Sequence, residues 1–389
     1  MNIKICFVTT TSLSIESFIM PCVQELQTRG FDVTFVTSCE KGFFDRCPSN
    51  VEIIDFTVKR GFDFIGTLKA AKKFKNLCIE KKFDMVVYAT PNGALYGSIG
   101  SKAAGVPCRV LAQWGMRYVG FNGIKRYIIR NIEKISCRNA TDVRNVSEKN
   151  RQLAIKDSMY KPDKCKVLGD GGTIGVDLTL YDLDKTPQYR TEIRNKYNIS
   201  DNELVYAFVG RICRDKGVEE LKTAFELVLN ENSHCRLMLI GGLDDNSNLS
   251  QACLDSLNNN SQITLCGAVP NKEVSKYLSA ADVLVHPTYR EGFGMVLQEA
   301  AALALPTITN DIPGASEAIV NNVTGVLAKK QDVQSLKDAM LVMFDPEVRK
   351  HYGINGRKRI EEKFERKMMI NRICDDYIDI YKKRAVNNK

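Results

Sequence analysis

Histidine and tryptophan are scarce in this chain, at three and one among 389 residues. The histidines are His234, His286 and His351, so any mechanism that needs a histidine base in the N-terminal half is excluded. Thirteen cysteines, from Cys6 to Cys374, are spread singly, with no Cys-x-x-Cys and no cysteine–histidine cluster. That pattern excludes a zinc ribbon and reads as buried thiols in a reducing cytosol rather than disulfides. No apolar run reaches the ~18 residues of a membrane span. The run at 3–9 is too short for a signal peptide. A cytoplasmic protein is expected, with at most peripheral membrane contact. Neither Gly-x-Gly-x-x-Gly nor Gly-x-x-x-x-Gly-Lys-Ser/Thr occurs, which disfavours a nicotinamide oxidoreductase or a P-loop enzyme. The net charge of +9 is not gathered into a tail. Basic residues are scattered and base-stacking aromatics do not repeat, so no nucleic acid is expected as partner.

What is present suggests two domains. The composition is 44% hydrophobic and 26% charged, that of a globular protein with real cores. Apolar runs at 3–9, 31–37, 51–56, 84–89, 108–112, 141–146 and 164–168 read as buried parallel strands. Between them lie helical patterns, one with its apolar face at Ile15, Phe18, Ile19, Cys22, Val23 and Leu26. Such alternation indicates an α/β fold with a parallel sheet, whose ligands bind at the strand C-termini. The loops at 10–14, 90–93 and 113–120 therefore share one edge, with Thr11, Ser12, Asn92, Trp114, Gly115 and Arg117 as candidates. Residues 114–134 combine aromatics with a helix carrying apolar residues at 124, 128 and 132 and basic ones at 125, 126, 130 and 134. This stretch fits an interfacial contact with anionic membrane, or a surface helix whose apolar stripe enters the core.

Residues 179–203 are polar, carry Pro187 and lack a sustained apolar period, so the interdomain connection is expected there. A second series of strands follows at 204–209, 236–240, 263–266, 283–286, 306–309 and 325–328. The first runs into Gly210-Arg211-Ile212-Cys213-Arg214-Asp215-Lys216-Gly217, a glycine-bounded turn with three cations. Arginine offers phosphate oxygens a planar fork, lysine a movable point charge. Gly242 and Val269 lie in later turns on the same edge. Glu291-Gly292-Phe293-Gly294-Met295-Val296-Leu297-Gln298-Glu299 then forms a strand–turn–helix corner with a carboxylate on each side. A helix start presents N–H groups to an anion. The ligand that suits such a corner is part phosphate and part polyol. A long charged helical stretch, about 357–383, closes the chain and is expected to pack back across both halves.

Taken in order, these motifs resemble glycosyltransferase family four. The matches are Gly210-Arg211 with Lys216-Gly217, Glu291 and Glu299 with seven residues between them, His286-Pro287-Thr288, and Pro313-Gly314 with Glu317. The N-terminal half resembles the capsule, O-antigen and glycan-assembly branch in outline, at residues 100–107. The resemblance implies GT-B architecture: two Rossmann-like domains facing across a cleft, a C-terminal helix crossing back, and boundaries at 1–180, 181–360 and 361–389. It implies a retaining hexosyltransferase using a nucleotide sugar, here a UDP-sugar, and a saccharide acceptor on polyprenyl diphosphate. Lys216, Arg211 and Glu291 become the catalytic candidates. Gly210, Gly242, Val269, Gly292, Phe293, Gly294, Met295, Val296 and Glu299 join them around the donor, with Glu299 on the ribose. The candidates of the N-terminal loops fall on the acceptor side. Asp244-Asp245 and Asp375-Asp376 read as solvated, and no metal is expected because side-chain cations take its role. Trp114-Gly115 stands where many members have His-Gly. A nucleotide-sugar epimerase of the same architecture and a non-catalytic nucleotide-sugar binder are the alternatives.

Overall fold

The computed structural model describes residues 2–58 and 64–387. The chain divides into two compact units, Met1–Ile174 with Lys367–Lys389, and Gly175–Arg366.

Among the described residues, the first unit holds β1 (Ile3–Thr11), β2 (Phe31–Ser38), β3 (Glu52–Asp55), β4 (Met85–Tyr88), β5 (Cys108–Gln113), β6 (Asp142–Asn145) and β7 (Cys165–Val167). They form one sheet in the order β3-β2-β1-β4-β5-β6-β7, each pair parallel. The second unit holds β8 (Leu204–Val209), β9 (Cys235–Ile240), β10 (Ile263–Gly267), β11 (Val283–His286), β12 (Thr307–Asn310) and β13 (Gly325–Ala328). Their order is β10-β9-β8-β11-β12-β13, again parallel throughout. Both sheets are doubly wound. The chain lays three strands outward, then returns to the far side of the first. The switch points therefore lie between β1 and β4, and between β8 and β11. Crevices open at such points. Continuous apolar runs make these strands because both sheet faces are covered. In β11 every residue is buried, and in β8 all but Val209.

Three local expectations change. The helix expected through 15–26 is broken into Ser12–Phe18, a 3-10 turn at Met20–Cys22 and Val23–Thr28. Pro21 has no N–H to continue the first helix. Ile15, Ile19, Cys22, Val23 and Leu26 are still buried. The polar run at 179–203 contains a helix, Thr186–Lys196, with Pro187 at its start. Proline is favoured there because its missing N–H would be unpaired anyway. The closing charged stretch is two helices, Pro346–Lys363 and Arg366–Asn387, separated where Phe364 leaves helical geometry and is buried.

The last helix lies within the first unit except for its opening Arg366. Tyr377 sits beside Phe7, with ring centroids 6.2 Å apart, and Asp376 accepts from Arg144 Nε at 2.5 Å. Arg29 reaches both Asp375 and Asn371. The helix Gly123–Asn139 leaves Ile124 74% exposed, with Tyr127, Ile128 and Ile135 also exposed. Its stripe is thus not core at those four positions. No helix among the described residues is long and apolar enough to cross a membrane.

Candidate active site

The second unit's switch point brings together two loops that the sequence separates by some seventy residues. β8 leads through a 3-10 turn, Arg214–Lys216, into the helix Val218–Glu231. β11 leads through a loop into the helix Met295–Ala302. Gly217 locks the two loops together. Its φ is +74°, and a Cβ there would stand 2.0 Å from the Pro287 carbonyl oxygen, so no side chain fits. Gly314 makes a second close approach, with φ +90° and a virtual Cβ 2.5 Å from the carbonyl oxygens of Glu291 and Gly292. Asn310, at the end of β12, donates to the carbonyls of Pro287 (2.7 Å) and Thr288 (3.0 Å). Asp215 accepts from Arg290 at 3.0 Å, and its carbonyl accepts from Tyr289 N–H at 2.9 Å. The loop that carries Glu291 is therefore fixed from three sides.

Lys216 Nζ donates to Glu291 Oε2 at 2.8 Å. His286 Nε2 lies 3.4 Å from the same oxygen. The His286 ring is buried and stacks on Phe208, with centroids 5.6 Å apart. Burial lowers the imidazole below its ordinary pKa, against the pull of Glu291, so the ring is neutral. Burial alone would raise the Glu291 carboxyl. The adjacent Lys216 ammonium, helped by His286, outweighs it and holds the carboxyl well below the usual range. Glu291 is thus an anion clamped against a cation.

Arg211 is placed differently. Its side chain is 60% exposed and paired with Asp244, so Asp244 is not simply solvated as expected. Glu299 lies one turn into the helix Met295–Ala302. Burial raises its carboxyl, while a hydrogen bond from Tyr181 and the charge of Arg366 oppose that shift. The Phe293 side chain is core, tilted against Phe364 at 5.5 Å. Only its backbone can face a ligand. Gly294 caps the helix in the left-handed region, with Met295 and Val296 partly exposed in the first turn. Gly210 ends β8, with its N–H on Ile240 O. Gly242 accepts from Ile212 N–H at 2.9 Å, and its virtual Cβ lies 3.7 Å from Ala268, next to the partly exposed Val269. Glu317 caps a short helix through Gly314 N–H. Among the described residues, no three His, Cys, Asp or Glu side chains converge as a metal set.

In the first unit, Thr11 ends β1 and its hydroxyl meets Ser14 at 3.3 Å. Ser12 is buried, its hydroxyl accepting from Glu40 N–H at 3.2 Å. Thr90, just before the helix Pro91–Ala103, has φ +61° and ψ 152°. That backbone is strained for a threonine, and its hydroxyl is held by Thr10. Asn92 stands partly exposed in the next turn. Trp114 follows β5 and packs on Phe18, with ring centroids 4.7 Å apart. Gly115 and Arg117 are exposed, and Arg117 N–H donates to Glu133 at 3.0 Å.

His286, Asp215, Asn310 and Tyr181 are absent from the expected site set. His286 had a signal, as a lone histidine at a strand end five residues before Glu291. Asp215 sits inside the cationic turn itself. Asn310 had none, because its role depends on β12 lying beside β11. Tyr181 lies in the stretch expected to be a connection.

The description "Glycosyl transferases group 1" matches residues 189–359, and "Glycosyl transferase 4-like" matches residues 4–147. The capsular polysaccharide biosynthesis glycosyltransferase CapM of Staphylococcus aureus is 30% identical over 366 residues, 93% of each chain. The UDP-Gal:alpha-D-GlcNAc-diphosphoundecaprenol alpha-1,3-galactosyltransferase of Escherichia coli is 24% identical over 332 residues, 83% of this chain and 82% of its own. The crystal structure of Anabaena HepE with UDP and glucose superposes with a TM-score of 0.78 at 18% identity, over 97% of this chain and 100% of that one. That last likeness establishes the GT-B fold.

Proposed function

The chain belongs to the family-four glycosyltransferases, and on that premise we propose that it moves a sugar from a UDP-sugar to a saccharide on polyprenyl diphosphate, with retention and without a metal. The Lys216–Glu291 pair beside a helix start is the observation that carries this reading. HepE holds UDP and glucose, and the Escherichia coli relative takes UDP-Gal and a diphosphoundecaprenol-linked acceptor. The Staphylococcus aureus relative works in capsule biosynthesis.

In this reading the diphosphate meets Lys216, the N–H groups at Phe293–Met295, and Arg211. The bond between the anomeric carbon and the phosphate oxygen breaks with its electrons going to the phosphate. The acceptor hydroxyl attacks from the same face, and its proton passes to the leaving phosphate oxygen. Glu291 steadies positive charge at the anomeric carbon and orders the sugar hydroxyls. Glu299 accepts from the ribose. His286 is neutral, buried and turned to Glu291, which suits a positioning role. Lys216 is held ready, whereas Arg211 must first leave Asp244. An exposed ion pair is worth about 0–1 kcal/mol, so that release costs little.

The test is product analysis with UDP-sugars and a synthetic prenyl-diphosphate-linked saccharide. Anomeric NMR shows retained configuration, and EDTA leaves the rate unchanged. Inversion defeats the same-face step. A rate lost in EDTA and restored by Mg²⁺ defeats metal independence.

The helix Gly123–Asn139 adds a proposed peripheral contact at the inner membrane face. Ile124, Tyr127 and Ile128 would enter the interface, beside Lys125, Arg130 and Arg126. Near an anionic surface each such cation is worth about 1 kcal/mol. Arg126 is partly engaged by Asp157 at 3.1 Å, so Lys125 and Arg130 contribute more. The protein co-sediments with anionic vesicles, and reversing the charge at 125, 126 and 130 abolishes it. Equal pelleting of both proteins removes the membrane contact.

A further inference from the structure

We propose that Arg290 is a positioning residue for the donor: by engaging Asp215 it keeps that carboxylate off Arg211, so that Arg211 has one anion to leave rather than two when a diphosphate arrives. The inference rests on the reading that Arg211 meets the donor diphosphate.

The two loops pair neighbouring residues with opposite polarity. Lys216 donates to Glu291, and beside that bond Arg290 Nη2 donates to Asp215 Oδ2 at 3.0 Å. Each loop is therefore locally neutral, Asp215-Lys216 on one and Arg290-Glu291 on the other. A slip of one residue would set Lys216 against Arg290, or Asp215 against Glu291. Like charges so placed penalise the wrong register. The backbone repeats the pairing, since the Asp215 carbonyl accepts from Tyr289 N–H at 2.9 Å.

The other oxygen of Asp215 turns back along its own loop. Oδ1 accepts from the buried Cys213 thiol at 2.8 Å, and Cys213 Sγ lies 3.5 Å from the Arg211 carbonyl oxygen. The Asp215 carboxylate is thus one side chain away from Arg211. Burial alone would raise that carboxyl, but the Cys213 bond and the charges of Arg290 and Arg211 hold it below its ordinary value. Arg211 has a second carboxylate at hand in Asp244, which it engages directly and whose Oδ1 is fixed by Asn246 N–H at 2.9 Å. Two anions therefore flank one guanidinium. Asp244 holds it, whereas both oxygens of Asp215 are taken, one by Cys213 and one by Arg290. Arg211 is the more exposed of the two arginines, at 60% against 39%, so it is the one free to turn to a ligand. Without Arg290, Asp215 would keep its charge and lose its partner. Arg211 would then be the nearest cation to answer it within its own turn.

Calorimetric titration of the full chain with UDP and with uridine tests this. Arg290→Gln weakens UDP roughly 5-fold, the worth of one exposed ion pair, and leaves uridine unchanged because uridine carries no phosphate. Arg290→Lys keeps the charge and most of the affinity. Adding Asp215→Asn to Arg290→Gln restores UDP binding, since the amide keeps the Cys213 bond without the charge. In an Arg211→Ala background Arg290→Gln has no further effect, because its influence runs through Arg211. Circular dichroism and melting select folded variants, with Arg290→Met as a second neutral substitution. UDP affinity that ignores position 290 overturns the proposal. So does a failed rescue by Asp215→Asn, which marks a direct phosphate contact or a mere loop anchor. A full Arg290→Gln penalty in Arg211→Ala overturns it too. Absence of UDP binding from the wild-type chain defeats the glycosyltransfer reading itself, and Arg211→Ala that binds UDP normally removes the premise about Arg211.

Discussion

Alanine at position 216 lowers turnover at least ~100-fold, and glutamine at 291 does the same. As the sugar–phosphate bond breaks, charge grows on the diphosphate. Removing one preorganised donor aimed at such charge costs about 3–4 kcal/mol of barrier. In the proposed reading Lys216 is that donor, held by a 2.8 Å bond to Glu291 on a loop anchored by Asn310 and Asp215. Arg211→Ala is milder, since that guanidinium is mostly exposed and shared with Asp244. The two strong variants act on one pair, so the double variant falls little further than the worse single. The pH profile gives an independent readout. The folded Glu291 carboxyl lies below its ordinary 4.5 because Lys216 outweighs burial. A depressed carboxyl contributes stability above its unfolded pKa and loses it as pH falls through the folded value. The wild-type rate therefore shows no acid limb from Glu291 between about pH 5 and 7. In Lys216→Ala burial acts unopposed by the ammonium, and the acid limb of kcat/KM moves upward. Near-normal rates in both variants, or an unmoved limb in Lys216→Ala, would sink the assignment.

Arg194→Ala unfolds the second unit at a markedly lower temperature. Arg194 is 1% exposed, yet it keeps its charge, with burial only lowering it from its usual very high value. Its fork donates to the carbonyls of Ala280 (3.1 Å), Ser200 (2.7 Å) and Glu203 (3.2 Å), and to Asp282 at 2.9 Å. Asp282 also accepts from Arg190 at 2.8 Å and from Val205 N–H at 2.7 Å. The network ties the helix Thr186–Lys196 to the start of β8 and to β11. Truncation leaves buried carbonyls unpaired and removes one of the two cationic partners of Asp282. Breaking such a pair costs about 3–5 kcal/mol. For a unit of this size that is a fall of roughly 6–20 °C, at about 2–4 °C per kcal/mol. Lysine at 194 restores part of it, since one ammonium cannot reach four acceptors. A shift within about 2 °C for the alanine variant contradicts the account.

Arg194 also shows why some of the fold was hidden in the sequence. Its helix turns an arginine and Ile193 inward, so the polarity pattern resembles a linker. The strands were legible because parallel strands covered on both faces are unbroken apolar runs. The corner at 291–299 was legible because its glycines, carboxylates and helix start are neighbours in sequence. Its coupling to Lys216 was not, since that depends on β11 lying beside β8. The break at Ile19–Cys22 was available from Pro21 but masked by an apolar spacing that holds through it. Asp244 as the partner of Arg211 comes from adjacent strand ends. The hydrogen-bonded triangle of Asn145, Gln113 and Tyr160 emerges only when three side chains on separate elements meet.

The two sheets are wound alike, and each completes its crevice from its own strands. The contacts among Lys216, His286 and Glu291 lie within the second unit, and the Asn145–Gln113–Tyr160 triangle and the packing of Trp114 on Phe18 lie within the first. Under the proposed reading, with the donor on the second unit and the acceptor on the first, the two choices would be separable cassettes for protein engineering. The first unit, however, is discontinuous in sequence. Tyr377 and Asp376 are part of the first sheet's covering through Phe7 and Arg144, so a chimera must import 367–389 together with 1–174. A graft of the N-terminal segment alone would join a sheet to a foreign closing helix.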